Sequence, residues 1–277
     1  MTVNILSAFS GIGGFELGLE QAIPNSRTLY QIENDPYCQK VLRKHWPEAK
    51  LFDDIRDTSP ADVPGTTLIA GGFPCQDLSC ASSKGTGLSG KKSGLWYELL
   101  RLIEGVMPDW VAIENVNARK RWLPYVLQDL AALGYDAEWQ TIQASQLGAR
   151  HKRARCFVIA YPNSESLRNQ QQWQATGRKH VQASGQAELT NDGAQEPMAN
   201  PNSKGQLPQG GEESQIRRWS SNSGQQIELN PWTVEPSVGR VADGIPARMD
   251  RLRTLGNAIV PQCAYYVGRR IVELMDG

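Results

Sequence analysis

The chain has no apolar run near the ~18 residues that a membrane span requires, and its opening, MTVNILSAFSG, lacks the charged and apolar blocks of a secretory signal. A cytoplasmic location with no membrane partner is the expectation. Cysteine is sparse: Cys38, Cys75, Cys80, Cys156 and Cys263 are odd in number and contain no CxxC pair. Neither a disulfide framework nor a structural zinc site is indicated, and reduced thiols are expected. An excess of charge is missing too, since 29 Lys and Arg stand against 29 Asp and Glu. That excludes a histone-like basic protein, a polybasic membrane binder and an acidic tail, so any contact with a polyanion must be local. Between Pro162 and Asn230 there is no Phe, Tyr or Cys, while Gln, Asn, Ser and Gly dominate. Such a stretch cannot build a large core alone.

What is present fits one large domain and a smaller lobe within 277 residues. From residue 3 to about 160, β-rich runs alternate with helical patterns: VNILSAF, then 14–22; TLYQIE, then 36–46; TLIAGG, then 95–106; WVAIEN, then 121–133. This alternation predicts an α/β fold with a doubly wound, mostly parallel sheet and helices on both faces. AEWQTIQAS and RCFVIAY add two strand candidates. Patterning stops in the polar segment, where AYPNS at 160–164 is weakly echoed by ANPNS at 199–203, two similar turns or a coincidence. It resumes with ARMDRLRTLG and a C-terminal helix predicted over 259–275. The polar segment therefore reads as an insertion, with the C-terminus folding back onto the main domain.

After the first strand comes FSGIGGFELG, residues 9–18, and Glu33 stands at the end of the second strand, 19 residues beyond Gly14. Glycines there permit tight turning and close backbone approach to a ligand, and an acid at that distance can bond ribose hydroxyls. A nucleoside cofactor suits this arrangement. The spacing is GxGGxxxG rather than the GxGxxG of a dinucleotide site, and a glycine turn without a ligand is the bland alternative.

The third strand runs into GGFPCQDLS, residues 71–79, which sets Cys75 at a strand's carboxyl end, where open α/β sheets hold ligands. Cysteine is a potent nucleophile as thiolate, and cations nearby lower its pKa. A lone cysteine is otherwise an inert buried thiol. The context comes from Glu114 and Asn115 at the next strand end and from Arg150, His151, Lys152, Arg153 and Arg155 before the strand CFVIAY. Taken separately, these are an ordinary strand-end carboxylate and a solvated basic turn.

Together, FSGIGGFELGL, the acid of QIENDPY, the Asp of DDI, GGFPCQDLS, ENV, the RxR of HKRAR and LGNAIVPQ resemble the ordered motifs of the DNA (cytosine-5)-methyltransferases, of the compact bacterial or bacteriophage kind. The resemblance spans residues 5–262, interrupted by the polar insertion. It implies a Rossmann-like domain that uses S-adenosyl-L-methionine and needs no metal. By that resemblance Cys75 attacks C6 of a cytosine and Glu114 bonds its N3 and exocyclic amine, while Arg153 and Arg155 contact O2 and phosphates. Phe9, Ser10, Gly11, Gly13 and Gly14 would surround the cofactor, Glu33 its ribose and Asp54 its adenine amine, with Pro74 shaping the loop and Asn257 closing the pocket.

Because C6 of a paired cytosine is hidden in the stack, base extrusion is implied. Lys84, Lys91 and Lys92 lie in the glycine-rich stretch 82–94, which resembles a loop closing on DNA; with Arg119, Arg150 and Lys152 they form the candidate phosphate contacts. His151 stands where relatives carry Gln, and Ala154 where an acid is usual. The implied organisation is a catalytic domain over 1–161, a target-recognition region over 162–235 and a returning segment over 236–277. In the middle part, where core candidates are few, Trp173, Trp219 and Trp232 read as anchors of a modest fold rather than as base wedges. The Gln, Asn and Arg of this part suit groove readout and equally suit a disordered linker. Double-stranded DNA is the expected partner, with a cognate restriction endonuclease as a second and a monomer as the working unit. The rival readings are the same chemistry on tRNA and a non-catalytic DNA-binding relative.

Overall fold

The structure, a computed structural model, describes residues 2–74, 94–117, 121–163, 216–218 and 248–276. These residues fall within one compact unit, Met1–Asn163 with Ser214–Gly277. Cys75, Cys80, Lys84, Lys91, Lys92, Arg119 and the three anchoring tryptophans lie outside the described residues, as does all of 162–235 except Pro162, Asn163 and the strand at 216–218.

The strands are β1 (Val3–Ala8), β2 (Ser26–Ile32), β3 (Lys50–Phe52), β4 (Leu68–Gly71), β5 (Trp110–Val116), β6 (Tyr135–Gln143), β7 (Ala154–Pro162) and β8 (Ile216–Arg218). The helices are α1 (Gly14–Ala22), α2 (Pro36–His45), α3 (Leu95–Val106), α4 (Leu123–Ala132), α5 (Arg248–Asn257) and α6 (Pro261–Asp276). One sheet has the order β3-β2-β1-β4-β5-β7-β6-β8. Strands β1 to β5 run parallel, and β7 inserts antiparallel between β5 and β6. The reversal follows from the connection: between β6 and β7 there is a short 3₁₀ turn, Ala144–Leu147, rather than a crossover helix, so the chain returns as a hairpin. Strand β8 lies within the polar segment yet pairs with β6, Ala137 opposite Ile216, and extends the main sheet.

Period-two alternation divides the core. Leu6, Ala8, Ile69, Val111, Ile113 and Val158 face one side, with Trp96, Leu99, Val126 and Leu130 of α3 and α4. Val3, Ile5, Leu68, Ala70, Phe157 and Ile159 face the other, with Phe15 and Leu19 of α1 and Ala264, Val267 and Ile271 of α6. Helices thus cover both faces, as a parallel sheet requires. Helix α6 starts at Pro261 rather than 259, because proline suits the first helical turn, where no N–H partner is needed. It lies so close to α1 that a Cβ on Gly18 would fall on the Pro261 carbonyl oxygen.

The returning C-terminus is fastened by charge as well as packing. Arg270 of α6 donates from Nε and Nη2 to the two oxygens of Glu138 on β6, at 2.9 and 3.0 Å, and Glu138 is almost wholly buried. Removing one partner of such a pair strands the other charge, at roughly 3 kcal/mol. Arg270→Ala is therefore expected to lower the unfolding free energy by about 3 kcal/mol, read from the urea midpoint at unchanged slope. Among the described residues no helix is long and apolar enough to cross a membrane.

Candidate active site

The strand order reverses between β1 and β4, and open α/β sheets bind ligands at such a switch point, beyond the carboxyl ends of the strands. Both motif loops emerge there. After β1 the chain turns through Phe9 and Gly11 in left-handed conformations, φ +57° and +56°, an uncommon state for phenylalanine that the surrounding bonds must hold. Ser10 N–H donates to the Ile32 carbonyl at 3.1 Å and Ser10 Oγ donates to the Ser7 carbonyl at 3.0 Å. Glu33 finishes the turn: its Oε2 accepts from Gly11 N–H at 2.7 Å and its Oε1 from Asp35 N–H at 2.8 Å. Burial raises the Glu33 pKa, against the backbone N–H bonds that favour the carboxylate. A carboxylate offers about four acceptor sites, so lone pairs remain for a hydroxyl donor beyond these backbone bonds.

A cavity of about 430 Å³ opens beside this turn, within the roughly 300–1,000 Å³ of small-molecule sites. At one end Glu33, Asp35, Asp53 and Asp54 line it; Phe9, Ile32, Ile55 and Leu95 give it apolar walls; Pro74, Glu114, Asn115 and Arg155 line the other end, with Thr254 and Asn257 also on the wall. A nucleoside with its flat ring and sugar hydroxyls towards the acidic end and a reacting carbon towards β4 and β5 fits these walls. Of the sequence candidates for the cofactor, Phe9, Gly11, Glu33, Asp54, Pro74 and Asn257 meet here.

Gly13 and Gly14 do not. A Cβ on Gly13 would strike the Trp46 ring and one on Gly14 the Ile259 carbonyl oxygen, so the loop is packed on the returning segment at these two glycines. Both line a second cavity of about 660 Å³ with His151, Arg153 and Leu255. Ser10 is buried beneath the turn and belongs to neither lining. Thr254, Asp35 and Asp53 were missed by motif reading. Thr254 stands one helical turn before Asn257, a spacing that does place both on one face.

The chemistry-bearing end is built on β5 and β7. Their register sets Val116 opposite Arg155 and Glu114 opposite Phe157, which lets the Arg155 side chain run back along the sheet. Arg155 Nε donates to Glu114 Oε1 at 2.9 Å, with the Glu114 side chain only 13% exposed. Burial pushes the Glu114 carboxyl up to about 7, even though Arg155 and Arg153 both pull it down. A carboxyl that titrates near neutrality can hold or release a proton at its operating pH. Gly72 makes room for it, since a Cβ there would stand 2.8 Å from Glu114 Oε2.

Aromatic packing fixes the loop before Cys75. The buried Phe73 ring lies against Trp96 and Trp122 at centroid distances of 5.5 and 5.9 Å. Asn115 Nδ2 donates to the Phe73 carbonyl at 3.2 Å, and Trp122 Nε1 to the Val116 carbonyl at 3.0 Å. Arg153, by contrast, donates from its two terminal nitrogens to the carbonyls of Gly256 and Ala258, at 2.8 and 2.6 Å. Arg150 and Lys152 are exposed on the loop before β7.

The family model for C-5 cytosine-specific DNA methylase matches residues 3–236. The chain belongs to that family. Among curated relatives, this chain is 37% identical to the Type II methyltransferase M2.BsuMI of Bacillus subtilis (strain 168) over 167 residues, 57% of this chain and 42% of that one. It is 33% identical to the Type II methyltransferase M.CviJI of Paramecium bursaria Chlorella virus IL3A, over 58% of this chain and 43% of the relative. The chain thus spans less than half the length of these relatives. Among solved structures it is similar in fold to a DNMT2 variant from Spodoptera frugiperda, with TM-score 0.51, 18% identity and coverage of 59% of this chain and 51% of that one. The Dnmt2 methyltransferase of S. pombe aligns with TM-score 0.50 and 19% identity, over 59% and 50% of the two chains.

Proposed function

We propose that this methylase transfers a methyl group from S-adenosyl-L-methionine to C5 of a cytosine extruded from double-stranded DNA, through a covalent adduct on Cys75. The observation that carries the reading is the single cavity with Glu33 and Asp54 at one end and the Glu114–Arg155 pair at the other, beside the strand end that leads into Pro74-Cys75. When bound, the cofactor supplies an electrophilic methyl on a sulfonium. Every other task falls to the chain. Glu33 and Asp54 orient the nucleoside part, the Phe9 turn and Ile55 exclude water, and Asn257 and Thr254 close the wall.

At the other end, the Cys75 thiolate bonds to C6, and Glu114 donates its proton to N3 and accepts from the exocyclic amine. The electron pair displaced from the C5–C6 bond gives C5 nucleophilic character. Arg155 holds positive charge beside Glu114, where the ring gains electrons. After the methyl moves to C5, a base takes the C5 proton, the C5–C6 double bond re-forms as the C6–S bond breaks, and N3 returns its proton to Glu114, leaving Cys75 as thiolate. Lys84, Lys91, Lys92, Arg119, Arg150 and Lys152 are assigned to phosphates, and residues 162–235 to reading the target. A cognate restriction endonuclease and a monomeric working unit belong to the same proposal, as does action in the cytoplasm.

Incubation with methyl-labelled cofactor and either duplex DNA or tRNA is expected to label DNA at 5-methylcytosine only. Label confined to tRNA would move the substrate to RNA, and label in neither would leave a DNA-binding relative without catalysis.

A further inference from the structure

Motif resemblance assigns both arginines of the RxR pair to the nucleic acid, but the geometry divides them. Arg155 runs to Glu114, whereas Arg153 forks across Asn257, bonding the carbonyls on either side of it, 103 and 105 residues away in sequence. We propose that Arg153 is a positioning residue for the cofactor pocket, a latch that seats the returning segment so that Asn257 and Thr254 form its wall. This rests on the reading of the 430 Å³ cavity as the cofactor site.

Four observations converge on the segment 254–259. Leu255, Gly256 and Asn257 are exposed, so they have little buried surface of their own to fix them. On one side the segment is pressed against the glycine loop, where only the missing Cβ of Gly14 admits the Ile259 carbonyl. On the other side its two carbonyls meet a planar guanidinium fork, a geometry that lysine cannot reproduce with a single ammonium. Finally, Arg153 holds an unusual positive φ of +31° at the residue that begins the approach to β7, a conformation that persists where its surroundings over-determine it. The segment is thus clamped between the glycine loop and Arg153, and its inward residues line the cavity while the clamp stays outside it. Arg153 lines the second cavity instead, so it acts on the cofactor through the backbone at 256–258 rather than by contact.

The test separates this role from a phosphate contact by leaving nucleic acid out. Binding of S-adenosylhomocysteine to the full chain is measured by titration calorimetry for wild type, Arg153→Lys and Arg153→Ala, and amide hydrogen exchange is followed over 254–259. Arg153→Lys keeps the charge and is expected to weaken binding on the order of tenfold, with faster exchange in that segment, because one fork becomes one donor. Arg153→Ala should weaken it further. A dissociation constant and exchange rates unchanged in Arg153→Lys overturn the latch, whatever happens to DNA affinity. If wild type binds no cofactor product, the cavity assignment fails, while the exchange comparison still decides whether Arg153 seats the segment.

Discussion

Glu114→Gln is expected to slow methyl transfer on the order of 10²–10⁴-fold, the usual worth of a positioned acid or base, while leaving cofactor binding near wild type. The amide keeps the volume and one acceptor but has no proton that can follow charge onto N3. The effect should depend on pH in a defined direction. Burial raises the folded-state pKa of Glu114 to about 7 from the ordinary 4.5, so in the free enzyme the proton-bearing form is half populated near pH 7 and declines above it. In the wild-type enzyme kcat/KM, which reports free-enzyme groups, is expected to fall as pH rises through about 7, and in Glu114→Gln that limb should vanish. The stability sign agrees. Between pH 4.5 and about 7 the folded state holds a proton that the unfolded state has lost, so the contribution of Glu114 to stability is full below 4.5 and is lost as pH rises through about 7. Rate profiles of the two enzymes across pH 5.5 to 8.5 check this; an identical alkaline limb in both would remove Glu114 from the proton account.

Cys75→Ala carries the larger loss. Without a thiolate there is no bond at C6 and therefore no nucleophilic C5, and turnover should fall by on the order of 10⁴-fold or more. Cys75→Ser should do almost as badly, because a hydroxyl remains protonated where a thiol supplies a few per cent thiolate at neutral pH. Binding of the cofactor product to either variant should stay close to wild type, since the described wall of the cavity ends at Pro74 and the Glu114 end. Single-turnover rates and calorimetric titration on the same preparations separate the two quantities, and measurable turnover by Cys75→Ala would remove the covalent step.

Elements and faces were legible because periodicity encodes them directly. The strands that begin at Val3, Leu68 and Trp110, and the helices of 14–22 and 95–106, follow from alternation and from the glycines and prolines between them. The glycine turn and Glu33 were legible as partners because their spacing suits one loop and one strand end, and the Gly11 to Glu33 bond joins them. What escaped was long-range backbone partnership. Nothing in HKRAR signals that Arg153 bonds carbonyls more than 100 residues later while Arg155 turns to Glu114. Likewise the sequence GIGG does not say that Gly13 and Gly14 lie against Trp46 and Ile259 and line the second cavity rather than the first. The antiparallel β7 could have been read from the missing crossover between AEWQTIQAS and RCFVIAY, but β3 and β8, three residues each, are too short to show a period.

A covalent adduct between Cys75 and a flipped cytosine should be trapped by duplex DNA carrying 5-fluorocytosine at the methylated position. Fluorine cannot leave as the C5 proton does, so the reaction should halt with the base joined to sulfur. In the presence of S-adenosyl-L-methionine, wild type should form a denaturation-resistant complex whose mass equals protein plus methylated DNA, mapped by peptide sequencing to Cys75 and missing in Cys75→Ser. Absence of any adduct on DNA that wild type does methylate, or an adduct that survives Cys75→Ser, would contradict the account.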